Sequence, residues 1–248
     1  MNKGFGTPIG GQAMNAPLTR TRTPAIPPLE PGDHLTRDEF ERRYDAMPNL
    51  KKAELIEGVV YMPSPVRVDQ HSSPHAAYIG WLTTYWAWTP GVRAADNTTI
   101  RLDLDNEPQP DGLLLIEPTH GGQATIDDDG YIAGGPELVG EVSASSASLD
   151  LNAKLRVYRR NNVLEYVVWR VLDDAIDWFI LRGSQYDRLP LSADGHYRSE
   201  TFPGLWLDPA ALTRFDLQTV LQSLQLGIAS PEHATFVARL QQNAAPNQ

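Results

Sequence analysis

Three charged residues stand where the surrounding pattern would place leucine. Glu141 lies inside ELVGEVS (residues 137–143), whose alternation reads as a buried strand with Val139, Glu141 and Ser143 on one face. Lys154 falls at i+3 from Leu151, with Leu155 and Tyr158 at i+4 and i+7, so it shares the apolar face of the following helix. Asp150, Asn152, Arg156, Arg159 and Arg160 are expected mostly on other faces, with Val157 the exception. Asp111 opens the apolar run PDGLLLI (110–116), with Leu113 and Leu115 on its face. Burying any one of these charges alone would cost several kcal/mol. Two carboxylates at neighbouring strand ends can instead hold Mg²⁺ or Mn²⁺, with water and phosphate oxygens completing the shell. Such a metal lowers the pKa of bound water, and an ammonium beside it stabilises charge in phosphodiester cleavage. The structural alternative is a Glu141–Lys154 ion pair that ties helix to sheet.

These residues need a sheet and a helix to carry them, and the chain supplies both. Residues 1–31 are rich in Gly, Pro, Thr and Asn and read as a disordered tail. Thr36-Arg37-Asp38-Glu39 matches a capping box, followed by a short helix with Phe40 and Tyr44 on its apolar edge. AELIEGVVYM (53–62) reads as a helix end or turn passing into a strand, closed by Pro63 and Pro65. A second helix is expected from Pro74 to Pro90, apolar almost all round and therefore buried, with Trp81, Trp86 and Trp88 in the core. TTIRLDL (98–104) alternates as a half-buried strand, PDGLLLI reads as a central strand, and 117–135 is a polar insert with Asp127–Gly130 as its turn. Val163–Val171 and Ala175–Leu181 form a hairpin, two short strands follow, and from Pro209 the pattern is helical. The expected class is α/β (α+β mixed sheet): a tail at 1–31, a domain at 32–208 and a C-terminal helical extension at 209–248.

Composition narrows the chemistry. The 248-residue chain has 41% hydrophobic and 21% charged residues, which suits a globular protein. It has no cysteine, so disulfides, thiolate nucleophiles and Cys-ligated zinc are excluded, and a reducing cytoplasm is the compartment that fits. A net charge of −10 and a pI near 5.0 argue against broad adhesion to nucleic acid or anionic membrane, although a local basic groove remains compatible. No apolar run reaches the roughly 18 residues of a membrane span, and no apolar core follows Lys3 as a secretory signal would require.

Several other patterns carry less. His71 and His75 are four apart, but Pro74 interrupts the helix between them; packing or capping is their expected role, with one of them lining the site as the alternative. Aligning Gly130 with the glycine of a calcium loop puts Thr125 and Pro136 at carboxylate positions, which excludes an EF-hand. The serines at 143, 145, 146 and 148 lack a GxSxG elbow and read as loop and cap residues, with Ser148 as the N-cap. Arg156, Arg159 and Arg160 form with Lys154 a basic helix that could meet phosphates, although a solvated face is the simpler reading.

The ordered set of Pro110-Asp111, Glu141 and a following lysine resembles the PD-(D/E)XK nuclease pattern. More closely, ELIEG (54–58), QPD (109–111), PELVGEVSASS (136–146), DLNAKLRVYRR (150–160) and EYVVWRV (165–171) resemble the Uma family of restriction-endonuclease-like proteins, over about residues 36–208. The resemblance implies a mixed sheet flanked by helices and a DNA endonuclease. It implies Asp111 and Glu141 as ligands of Mg²⁺ or Mn²⁺, joined by the Val142 carbonyl, and it maps an early acidic residue to Glu54. The general pattern places lysine two residues after the acid, where Ser143 stands. The Uma-type arrangement supplies it from the next helix, which maps to Lys154. Folds of this kind often act as dimers, so a homodimer is one expectation, with apolar residues such as Leu224 available for its interface. A catalytically silent binding or regulatory module is the alternative function.

Overall fold

The computed structural model describes residues 1–2, 4, 25–62 and 67–244. Most of the expected tail, Lys3, and Pro63 and Pro65 lie outside the described residues. Helix α1 (Arg37–Asp45) leads into strands β1 (Glu54–Ile56) and β2 (Val59–Tyr61), and α2 (Ser73–Ala87) follows a π-helical turn at Val68–Ser72. Next come β3 (Val92–Ala95), β4 (Ile100–Arg101), β5 (Gly112–Ile116), β6 (Thr125–Ile126), β7 (Ile132–Ala133) and β8 (Leu138–Ser143). One helical stretch then runs through α3 (Ala147–Leu149), a π-helical turn (Asp150–Lys154) and α4 (Leu155–Arg160). The strands β9 (Glu165–Arg170), β10 (Ala175–Arg182), β11 (Gln185–Arg188), β12 (Tyr197–Arg198) and β13 (Trp206–Leu207) precede α5 (Pro209–Thr213), α6 (Leu217–Ile228) and α7 (Pro231–Ala244).

The main sheet has six strands in the order β11-β10-β9-β8-β5-β3. Strands β8 and β9 are parallel and the other neighbours antiparallel, which gives the mixed α/β class expected. Parallel neighbours need a crossover, and the helix carrying Lys154 is that crossover, so it must lie on the sheet next to β8. All six residues of β8 are buried, which requires cover on both faces. On one face Leu138 and Val142 pack with Tyr78, Trp81 and Leu82 of α2. On the other Val139 packs with Tyr158, Tyr166 and Val168. Gly112 and Gly140, paired across β5 and β8, let α2 approach: a Cβ on Gly140 would lie 1.9 Å from Tyr78 Oη.

Several expectations need correction. Residues 53–62 form a β-hairpin rather than a helix end, because Glu57 and Gly58 adopt φ of 53° and 76° and reverse the chain in two residues. The capping box does not close: Thr36 makes no side-chain cap bond, and Glu39 is drawn to Arg42 and Arg43 instead. The strand at 98–104 shrinks to Ile100–Arg101, and Leu104 is exposed beside the turn at 103–106. Helix α2 is buried on one side only; Trp86 and Trp88 reach solvent and do not belong to the core. Ser148 lies within the helix, and the preceding cap position is Ser146, without a side-chain cap bond. The C-terminal helices are not an appendage to the core. Val220, Leu224, Phe236 and Leu240 join the same cluster as Trp81 and Tyr85, so Leu224 is unavailable to a dimer interface.

Candidate functional site

The strand β8 and the helix after it bring their charges together as the alternation requires. Lys154 Nζ lies 2.9 Å from Glu141 Oε1, 2.9 Å from Glu54 Oε1 and 3.7 Å from Asp150 Oδ1. The ion pair between strand and helix therefore exists, and Glu54 from β1 completes a second side of it. Glu141 Oε1 also accepts a hydrogen bond from Tyr158 Oη, and Glu54 Oε1 accepts one from the Gln109 backbone N–H at 2.7 Å. That second bond ties β1 to the segment leading into Asp111. Ser143, standing where the general pattern has lysine, donates to Asp150 Oδ2.

Asp111 approaches from the neighbouring strand. Gly112 pairs with Gly140, which sets Asp111 at the same end of the sheet as Glu141. Its Oδ2 accepts from the Val142 N–H at 2.8 Å, while among the described residues Oδ1 has only His71 Nε2 at 3.6 Å and Lys52 Nζ at 3.9 Å. Both histidines line this corner. His71 Nδ1 lies 3.1 Å from the Val142 carbonyl, His75 Nε2 lies 2.9 Å from the Asp111 carbonyl, and the two rings stack 5.7 Å apart. Packing or capping is the expected role of both; only the alternative, that one of them lines the site, matches this placement. The π-helical turn before α2 carries His71 past the Pro74 interruption. Asp150, Tyr158 and Lys52 were not expected here. The i, i+4 spacing of Asp150 and Lys154 was the available signal, and the two lysines ahead of ELIEG were another.

Four carboxylates are buried in this region (Glu54, Asp111, Glu141 and Asp150), against one buried ammonium. That imbalance governs protonation. Burial pushes the Glu141 carboxyl up to about 8; Lys154 opposes the shift, and Asp150, Asp111 and Glu54 add to it. Burial likewise raises Asp150, against Lys154 and the Ser143 hydroxyl. For Glu54, burial is outweighed by Lys154, Lys52 and the Gln109 N–H, which hold it below the usual carboxylate range. Burial disfavours the Lys154 ammonium, but Glu141, Glu54 and Asp150 more than reverse that and hold it well above its ordinary value. Glu54 is thus the carboxylate held most firmly ionised beside Lys154, and Glu141 is one that burial raises. The arginines take the solvated reading. Arg156 and Arg160 pair with Glu57, and Arg159 donates to Gln185.

A mixed sheet with acidic residues at adjacent strand ends, and a crossover helix lending a buried lysine, defines an α/β protein with a carboxylate–lysine centre. The chain belongs to the Uma2 family, described as "Putative restriction endonuclease", which matches residues 37–210. A crystal structure described as a "putative nuclease belonging to DUF820" from Anabaena variabilis is similar, at 16% identity and a TM-score of 0.48. The similarity spans 72% of this chain and 99% of that one. No curated protein matches the chain.

Proposed function

We propose that the protein is a divalent-metal-dependent endonuclease that hydrolyses DNA phosphodiester bonds at the Asp111–Glu141–Lys154 centre. Family membership supports the nuclease reading. The observation that carries the site is the surplus of buried carboxylates around one ammonium: burial pushes the Glu141 carboxyl up to about 8, and the neighbouring Asp150, Asp111 and Glu54 add to the shift. A divalent cation would relieve that surplus. Asp111 Oδ1 and Glu141 Oε2 accept no hydrogen bond among the described residues, and the Val142 carbonyl meets the same histidine, His71, as Asp111 Oδ1. This all-oxygen set suits Mg²⁺ or Mn²⁺. Among the described residues no three His, Asp or Glu side chains converge as a complete metal cluster, so water and substrate oxygens would fill the remaining positions.

Bound there, the metal would supply Lewis-acid chemistry to the phosphodiester and to water. The remaining roles fall to this chain's own groups. Lys154 is held charged by Glu54 and Glu141, so it serves as a fixed positive charge that opposes the build-up of negative charge on phosphate, and not as a base. Glu54 orients that ammonium while anchoring the Gln109 N–H two residues before Asp111. His71 contacts the Val142 carbonyl at 3.1 Å and packs 3.6 Å from Asp111 Oδ1, so it would fill the corner between them. We place the nuclease residues within 32–208, while α5–α7 complete the core on which that region folds.

A catalytically silent binding module is a second reading, favoured by how fully Lys154 is enclosed and paired. Cleavage assays on varied DNA substrates with Mg²⁺ and Mn²⁺ decide between them. Activity in the wild type that is lost in both Asp111→Ala and Lys154→Ala supports the nuclease. Cleavage unchanged in both variants refutes the assigned site, and the absence of metal binding at millimolar concentration by calorimetry favours the silent module.

A further inference from the structure

A second constellation lies apart from the carboxylate–lysine centre. Helix α1, strand β4 and the turn of the β6–β7 hairpin enclose a cavity of about 300 Å³, at the small end of ligand-sized pockets. Glu41 and Asp45 of α1, Glu107 and Asp129 face it, and Tyr44 and Tyr131 form walls. Arg101 is the only cation lining it among the described residues; its Nε donates to Glu41 at 2.9 Å and its Nη1 to Asp127 and Asp129 at 2.7 Å each. The same guanidinium stacks over Tyr131, 4.5 Å from the ring centroid.

The informative residue is Glu107. It is 3% exposed, and its Oε2 has no hydrogen-bond partner among the described residues. A buried acceptor left unpaired costs about 1–3 kcal/mol. Arg101 reaches Glu41 but makes no ion pair with Glu107 among the described residues. Burial, a proton shared with the facing Glu41 carboxyl and the charge of Glu41 push the Glu107 carboxyl up to about 8, against Arg101 and Arg37, so a bound cation would take the place of that shared proton. The backbone of Glu107 is fixed by paired bonds to Leu55 in β1, which sets the position from which its side chain enters the cavity.

We propose that this cavity binds a small aliphatic amine or guanidine, whose N–H donors bridge Glu107 and Glu41 between the two tyrosine rings. Multiple donors on one compact cation would satisfy the unpaired Glu107 oxygen and neutralise the acidic lining, and tyrosine faces favour cations. A bare divalent ion fits less well, because no three acidic or histidine side chains among the described residues converge to hold one. The inference does not depend on the nuclease reading.

The test is isothermal titration of the full chain with agmatine, 1,4-diaminobutane and spermidine, and with Mg²⁺ as a control, at low and at moderate salt. At least one amine is expected to bind with a stoichiometry of one and sub-millimolar affinity that survives moderate salt. Glu107→Gln, an isostere of the neutral acid and therefore expected to fold, should weaken it at least tenfold. Asp129→Asn, on the exposed hairpin turn, should weaken it severalfold. Asp111→Ala should leave binding intact, which separates this cavity from the carboxylate–lysine centre. The proposal is overturned by no binding at about 10 mM amine, or by binding unchanged in Glu107→Gln, which would reflect only the net acidic surface.

Discussion

Replacing Lys154 by Met tests whether the lysine is there to neutralise buried carboxylates. Two unit charges about 4 Å apart at an effective dielectric of about 20 attract by about 4 kcal/mol. Lys154 has two carboxylate oxygens at 2.9 Å and a third at 3.7 Å. The gross attraction is larger than what mutation would reveal, because burying each ion opposes it. Removing one partner of a buried pair typically costs about 3–5 kcal/mol. The cost should depend on pH, and its direction follows from Glu54. In the wild type Glu54 is held below its usual range, so its contribution is present above the unfolded carboxylate pKa and is lost only as acid reaches the folded value. Without Lys154, burial dominates and raises Glu54, so its contribution is present in acid and lost as pH rises. The elevated Glu141 already behaves in that second way, losing stability as pH climbs towards about 8. Each pKa unit is worth about 1.4 kcal/mol. The expected loss in Lys154→Met is therefore about 3–5 kcal/mol at pH 8, falling to about 1 kcal/mol at pH 5. Urea unfolding of both proteins at the two pH values measures it. An equal loss at both, or a Met variant as stable as the wild type, would refute the neutralisation argument.

Other perturbations separate the structural claims. Gly140→Ala places a Cβ 1.9 Å from Tyr78 Oη, so the melting midpoint should fall by an amount equivalent to about 1–3 kcal/mol; a Tyr78→Phe background should relieve part of it. Ser143→Ala removes the hydroxyl donor to buried Asp150 and should cost about 1–3 kcal/mol in chemical denaturation; no change would mean that Asp150 is satisfied by other groups. Truncation after Asp208 strips Val220, Leu224, Phe236 and Leu240 from the α2 side of the core, so the shortened chain should lose cooperative unfolding by circular dichroism. Retention of a native melt would make the C-terminal helices a true extension.

The strands were legible where one physical rule dominated. In ELVGEVS the period of two put Val139, Glu141 and Ser143 on one face, and each meets the crossover helix or its cluster as expected. The β9–β10 hairpin followed from two apolar runs around Asp173-Asp174, where Asp174 takes a φ of 48°. Local rules failed where tertiary contacts competed. Glu39 bonded arginines rather than its own helix cap, and α2 kept exposed tryptophans despite an apolar sequence. The 57–58 turn was hidden because Glu57 is an uncommon residue at positive φ; only the following glycine marked it.

The crossover helix shows why part of the site escaped a reading by hydrophobicity. Weighting apolar residues centres the buried face on Leu151, Leu155 and Tyr158, yet Leu151 and Leu155 are only half-buried. The buried side is instead Asp150, Lys154, Val157 and Tyr158, a stripe running through the lysine. Asp150 precedes Lys154 by four residues inside a π-helical turn, a distortion that recurs at functional sites. A carboxylate can occupy that position because Ser143 donates to one of its oxygens and Lys154 faces the other as an ion pair at 3.7 Å; a leucine there would leave the ammonium with fewer counter-charges. Charge therefore selects the face that apolar periodicity misassigns. The same reasoning makes Glu54 more than a distant acidic residue. It is the carboxylate that keeps Lys154 charged, leaving Glu141 Oε2 and Asp111 Oδ1 free of hydrogen bonds among the described residues.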